Sequence, residues 1–328
     1  MKRRKFITFL AGAASWPLAA RAQQGDRVRR IGVLMPLDEN DPEGKRRYSA
    51  FTQALADAGW TDGRNVRIDL RWAGTDINRI RALAQELVRL QPDIIMTQGT
   101  PPTAALQQET RTIPIVASMA EPVASGIVPG LKEPGGNVTG FALYETTLAG
   151  KWLELLSEMA PGLKRAAIMF NPDTAPASAY MSSFETAAEL LKVVPITAPV
   201  HEDGEIETAI VALGHEPGGG LVVMPDVFMI GHRAPIIAAT ARNNVPAVYH
   251  LSVYARDGGL LSYGVDQVDT WRRTASYVDR IPRGEKPGDL PVQFPTKFEM
   301  VVNAKTAKAL GLTVPLSILV RADVVIEE

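Results

Sequence analysis

The sequence predicts an α/β chain folded as two doubly wound parallel-sheet lobes with a ligand cleft between them. Two observations lead there. Short apolar runs that stop at Pro, Gly or Asn alternate with helix-period segments of ten or more residues, and that series occurs twice, on either side of a Gly/Pro-rich segment at residues 130–140. Neighbouring parallel strands need a crossover of about a dozen residues, usually helical, so strand–helix alternation implies βαβ units. Two such series imply two lobes.

In the first series, Ile31-Gly32-Val33-Leu34-Met35 is an apolar run stopped by Pro36, which reads as a buried strand. Tyr48, Phe51, Leu55 and Ala58 follow at helical spacing, with Gly59 ending that helix. Residues 66–72 alternate apolar with charged side chains, as a half-buried strand does. Asp76 caps a helix that carries Ile80, Leu83, Leu87 and Leu90 on one face. Residues 93–96 and 113–117 are two further strands.

Asn137-Val138-Thr139-Gly140 reads as a short strand crossing between lobes, and residues 148–159 as the first helix of the second series. Strands are expected at 165–170, 193–200, 221–224, 247–249 and 259–262, with helices at 175–191, 206–213 and up to Arg242. A return helix is expected at 266–281, another helix at 298–310 stopped by Gly311, and a final strand at 318–326. The expected division is an N-terminal lobe at 27–141, to which part of 266–328 returns, and a C-terminal lobe at 142–265. Pattern alone leaves the tail open to either lobe.

The chain begins with Lys2, Arg3, Arg4 and Lys5, continues with a mostly apolar stretch to Ala20, and offers Ala20-Arg21-Ala22 as a small-x-small cleavage site. That order predicts a secretory signal at residues 1–22, cut after Ala22, and a periplasmic mature chain. Arg3-Arg4-Lys5-Phe6-Ile7 resembles a twin-arginine signal, although Lys2 departs from its pattern, and Sec export stays open beside it. With no cysteine, the mature chain has no thioether lipid anchor, disulfide or thiolate metal site. Its four histidines lack the spacing that places two imidazoles on one helical face, so no metal is expected. A net charge of −1 carries no basic excess for nucleic acid.

In open parallel sheets, ligands sit beyond the carboxyl ends of the strands. That rule selects the loops that begin at Pro36, Gly99, Ser118, Asn171, Asp226 and Tyr249. The candidate ligand-binding residues are Leu37, Gly99, Thr100, Ser118, Met119, Asn171, Asp226, Tyr249 and Tyr263. Thr100 reads as an N-cap with Pro101 at the first helical position, a terminus suited to a carboxylate that is also readable as a plain cap. Asp226 is the acid best placed for an ammonium, beside the alternative that it caps the next helix. Tyr249 and Tyr263 are placed to flank an apolar part of a solute, or to sit at a core edge. No G-x-S-x-G elbow, phosphate loop or G-x-G-x-x-G follows a strand, so no catalytic residue and no cofactor are assigned.

Ile113-Pro114-Ile115-Val116, Glu121-Pro122-Val123, Gly126-Ile127-Val128-Pro129-Gly130-Leu131 and Pro134-Gly135-Gly136-Asn137-Val138-Thr139-Gly140 resemble the ABC-transporter substrate-binding family related to tryptophan-binding receptors. Ser262-Tyr263-Gly264-Val265-Asp266, Leu290-Pro291-Val292-Gln293 and residues 298–312 are similar to it as well. The resemblance implies a type I periplasmic-binding fold, three crossovers between lobes and no catalysis. The expected mechanism is that of a monomeric receptor that closes by a hinge, with segments near Gly140 and Gly264 as hinge candidates, and hands a small solute to an ABC permease in the inner membrane. An amino acid or aromatic compound is the expected cargo. Glu121 and Ala142 depart from the family pattern, where Asp and a hydroxyl residue are common. A periplasmic sensory receptor and a solute-processing enzyme are the alternative readings.

Overall fold

The computed structural model describes residues 28–175 and 177–327, so the signal-sequence reading lies outside the described residues. Five parallel strands, β1 (Arg29–Met35), β2 (Val66–Trp72), β3 (Ile94–Gln98), β4 (Ile115–Met119) and β5 (Val138–Ala142), form the first sheet in the order β2-β1-β3-β4-β5. The second sheet comprises β6 (Arg165–Phe170), β7 (Val194–Pro199), β8 (Gly219–Val223), β9 (Ala247–Tyr249), β10 (Leu261–Val265), β11 (Phe298–Asn303) and β12 (Val324–Ile326). Its order is β12-β11-β10-β9-β8-β6-β7, all parallel except the β10–β11 pair.

Successive strand residues point to opposite faces, and here both faces are covered by helices. On β1, Ile31, Val33 and Met35 join Phe51 and Leu55 of the helix Pro42–Asp57, whereas Leu34 joins Ile80, Ala84 and Leu87 of the helix Ile77–Arg89. On β6, Ala166, Ile168 and Phe170 face Trp152 and Phe184, while Ala167 and Met169 face Ile206, Ile210 and Ile236. Apolar residues at every strand position are thus what a two-sided sheet requires.

The chain passes between the sheets after β5, after β10, and between Gln293 and β11. After β10, the helix Gln267–Arg280 returns to the first sheet, where Trp271, Ala275, Tyr277 and Val278 pack with Ile31, Val33 and Phe51. Trp271 meets Phe51 edge-on at 6.2 Å between ring centroids.

Three local expectations are corrected. Residues 298–310 are not one helix: Phe298–Asn303 is a strand paired antiparallel with β10, and only Ala304–Ala309 is helical, capped by Asn303 accepting from the Thr306 N–H. The adjacent Val301 and Val302 favour the pleated state, and pairing with β10 outweighs the helical pattern. Residues 318–326 are likewise not one strand; the helix Leu316–Arg321 precedes the three-residue β12. Val138 and Thr139 sit within β5, hydrogen-bonded to β4, and the chain crosses only after them. Both β11 and β12 extend the second sheet, which places a tail that pattern had left open.

Gly140 lies within β5, two residues before the strand ends and the chain first crosses. Its φ is +137°, and a β-carbon there would stand 1.9 Å from the Ala117 carbonyl oxygen. Gly140→Ala is expected to cost at least about 2 kcal/mol, since the β5–β4 pair must part to admit the methyl. Urea unfolding checks this, and an unchanged midpoint would contradict the packing described.

Candidate functional site

The carboxyl ends of both sheets face one cleft. Pro36 and Leu37 follow β1, Gln98 ends β3 and Gly99 to Pro101 follow it, Ala120 follows β4, and Leu143 and Tyr144 follow β5. From the second sheet come Thr174 after β6, Pro225, Asp226, Val227 and Ile230 after β8, and His250 and Leu251 after β9. Gln267 from the returning helix and Arg47 from the helix Pro42–Asp57 complete the lining.

A chain of polar contacts crosses the first-lobe wall. Arg47 is 2% exposed; its Nε donates to Glu43 Oε1 at 3.0 Å and its Nη1 to Gln98 Oε1 at 3.2 Å. The same Gln98 oxygen accepts from Trp271 Nε1 at 2.6 Å, while Gln98 Nε2 donates to Gln267 Oε1 at 2.7 Å. Gln267 Nε2 then reaches the Tyr144 hydroxyl at 3.4 Å. Burial raises the Tyr144 pKa, so the phenol stays protonated. The wall therefore presents a guanidinium and a neutral phenol in a largely apolar cleft.

The helix Thr100–Glu109 starts at this wall. Its N-cap is Gly99, not Thr100, at φ +90°, so Thr100 and Pro101 are its first two helical residues. Pro101 and Pro102 have no N–H, and both the Thr103 N–H and hydroxyl donate to the Gly99 carbonyl. Of the donors expected at this terminus, that leaves the Thr100 N–H and hydroxyl.

On the second lobe, Asp226 is buried but spent within the protein. One oxygen accepts from the Asn171 N–H at 2.8 Å; the other accepts from the Phe228 N–H at 2.8 Å and the Thr174 hydroxyl at 2.5 Å. Burial raises its pKa, and these hydrogen bonds oppose the rise. It caps the helix Val227–Gly231, which was the alternative reading of this residue.

His250 is 1% exposed. Its Nδ1 lies 3.3 Å from the Val223 carbonyl, whose oxygen can only accept, so Nδ1 carries the proton and Nε2 the lone pair. Nε2 is buried without a hydrogen-bond partner. Burial above all pushes the imidazole pKa down to about 3, and the Arg47 charge adds to this.

Of the residues picked from sequence, Leu37, Gly99, Thr100 and Asp226 line the cleft. Ser118, Met119, Asn171, Tyr249 and Tyr263 lie outside its lining. Ser118 and Met119 are fully buried on β4, Met119 against Leu34 and Ile95. Asn171 Oδ1 accepts from the Asp173 N–H. Tyr249 stacks on Tyr254 at 4.7 Å with its hydroxyl near Thr240, and Tyr263 stacks on Phe298 at 5.8 Å. Arg47, Gln98, Tyr144, His250 and Gln267 were not anticipated. Arg47 had a sequence signal: it shares the buried helix face of Gly44, Phe51 and Leu55. His250 had one too, because Tyr249 turns into the core and its neighbour must turn the other way.

The lobes touch across the cleft. Ile230 of the second lobe packs against the first-lobe core, and Arg233 pairs with Asp41 at 2.9 Å, the N-cap of the helix Pro42–Asp57. A β-carbon on Gly231 would lie 2.3 Å from Thr75 Oγ1. Among the described residues, no group of three or more His, Cys, Asp or Glu is placed to hold a metal, and no helix is long and apolar enough to cross a membrane.

A family profile described as ABC transporter substrate binding protein matches residues 30–326. A tyrosine-binding protein of Clostridioides difficile (strain R20291) is 26% identical over 288 residues, 87% of this chain and 82% of that one. Among solved structures, the ABC domain in complex with L-Trp from Streptococcus pneumonia superposes with a TM-score of 0.83 at 25% identity, covering 91% of this chain and 99% of that one. A ligand-free, open substrate-binding protein with adhesive properties from Clostridium difficile gives 0.68 at the same identity, covering 92% and 100%. A conserved domain protein of Vibrio cholerae O1 biovar eltor gives 0.84 at 25% identity, covering 91% and 100%.

The depressed pKa of His250 has a consequence for stability. The unfolded chain protonates this imidazole near its ordinary value of about 6.5, the folded chain only near 3. Its contribution is therefore complete above about pH 6.5 and is lost as the pH falls from there toward 3. By pH 5 the loss is on the order of 2 kcal/mol, and His250→Phe is expected to escape it. Urea unfolding of both proteins at pH 7 and pH 5 checks this; equal acid losses would contradict a neutral buried His250.

Proposed function

Because the chain belongs to the ABC transporter substrate-binding protein family, we propose that it is the extracytoplasmic receptor of an importer, closing by a hinge on one small solute. The observation that carries this reading is that a single cleft is lined from both lobes, so anything held there touches both. A solute with contacts in both lobes favours the closed state by its differential affinity for it. The permease would then recognise that closed surface.

The conformation described supports closure. At equal identity the chain superposes better on the L-Trp complex than on the ligand-free, open relative. Ile230 and the Arg233–Asp41 pair join the lobes at the cleft. The chain crossings after β5 and β10 lie beside Gly140 and Gly264, the hinge candidates.

The lining supports a carboxylate-bearing solute with an apolar or aromatic end. Arg47 and the Thr100 donors suit the carboxylate, and Leu37, Ile230 and the edges of Tyr144 and His250 suit a ring. An aromatic amino acid has this form, in keeping with the relatives that bind tyrosine and tryptophan.

Thermal melts of the refolded mature chain with aromatic amino acids and their amides test this. At a hundredfold excess over its dissociation constant, a ligand adds about 2.7 kcal/mol, a rise of several degrees. We expect the acids to raise the melting temperature and the amides, which lack the carboxylate, to leave it unchanged. Flat melts across the acids, or equal shifts with the amides, would contradict this site.

A further inference from the structure

The first-lobe wall keeps donors at Arg47 and Thr100, and the second-lobe wall carries one buried acceptor without a partner. His250 lines the cleft, and its Nε2 is shielded from solvent and without a hydrogen-bond partner. Its direction of use is fixed: Nδ1–H must serve the Val223 carbonyl, so Nε2 can accept and cannot donate. The ring is set edge-on to Tyr144 at 5.8 Å between centroids, which restricts its rotation.

A buried acceptor left unpaired is costly, and a site that carries one discriminates against a ligand unable to satisfy it far more than an apolar pocket discriminates by shape. From this geometry we propose that His250 is the specificity residue of the cleft, accepting a hydrogen bond from an N–H or O–H of the solute. The inference rests on the receptor reading and sharpens it: the cargo carries, beside its carboxylate, a donor directed at the second lobe. The imidazole is suited to this role because it stays neutral; a protonated ring would offer an N–H and add a second positive charge near Arg47.

Two parts of an aromatic amino acid have the required chemistry, the ammonium and a donor on the ring, and one set of titrations separates them. The wild-type protein and His250→Phe are titrated calorimetrically with tyrosine, with phenylalanine, which lacks the ring hydroxyl, and with 3-(4-hydroxyphenyl)propionate, which lacks the ammonium. Wild type is expected to bind the donor-bearing member of one of these pairs at least about tenfold more tightly. In His250→Phe that preference is expected to shrink to within a few-fold, while the analogue lacking the donor binds as before. The pair in which this happens identifies the donor.

His250→Gln, which restores an acceptor, is expected to recover part of the preference and guards against a merely misfolded Phe variant. If His250→Phe keeps the full preference in both pairs, or wild type shows none in either, the assignment is overturned and Nε2 serves at most a trapped water. If no member of the set binds wild type while other carboxylates do, the aromatic donor fails and the receptor reading stands. If no carboxylate binds at all, both fall.

Discussion

Burying the Arg47 guanidinium sets the terms for the first-lobe wall. A cation that is 2% exposed is tolerated only when it is paired and hydrogen-bonded, and Glu43 and Gln98 take two of its five N–H donors. Gln98 in turn is held by Trp271 and Gln267, both on the helix that has come back from the second sheet. One buried charge therefore fixes the side chain at the end of β3, the seating of the returning helix and, through Gln267, the Tyr144 hydroxyl. Removing one partner of such a pair costs about 3–5 kcal/mol in other proteins, because the remaining charge is stranded. The cleft inherits its rigidity from that arrangement.

The second-lobe wall is built differently. Asp226 gathers the Asn171 loop, Thr174 and the start of the helix Val227–Gly231 around one carboxylate. It organises the wall and has little accepting capacity left over. His250 has the reverse character: one nitrogen is tied to Val223, the other is buried without a partner. On the proposed reading, a first wall that donates and a second wall that accepts would give a solute a fixed orientation between lobes.

Much of the fold was legible because two-sided parallel sheets leave a plain trace. The apolar runs at Ile31 to Met35 and Ala166 to Phe170 need cover on both faces, and only helices between strands supply it. The tail was misread because β11 is stabilised by antiparallel pairing with β10, a partner more than thirty residues away that no local pattern reveals. The site was legible to the level of loops and less so to side chains. Tyr249 and Ser118 stand at the right strand ends but turn into the core, and the register that decides between Tyr249 and His250 is set by which neighbour packs. Arg47 was hidden by distance, since it belongs to a helix and not to a strand-end loop.

The proposed receptor role depends most on the lobes coming together around a solute, and an inter-lobe distance reads this directly. The chain has no cysteine, so spin labels at Lys45→Cys and Ala238→Cys mark the exposed sides of helices Pro42–Asp57 and Arg233–Arg242 without competing sites. Pulsed dipolar spectroscopy is expected to give a short, narrow distance distribution with a bound aromatic amino acid. Without it, the distribution is expected to be longer and broader. Identical distributions with the cleft filled and empty would contradict closure on the solute.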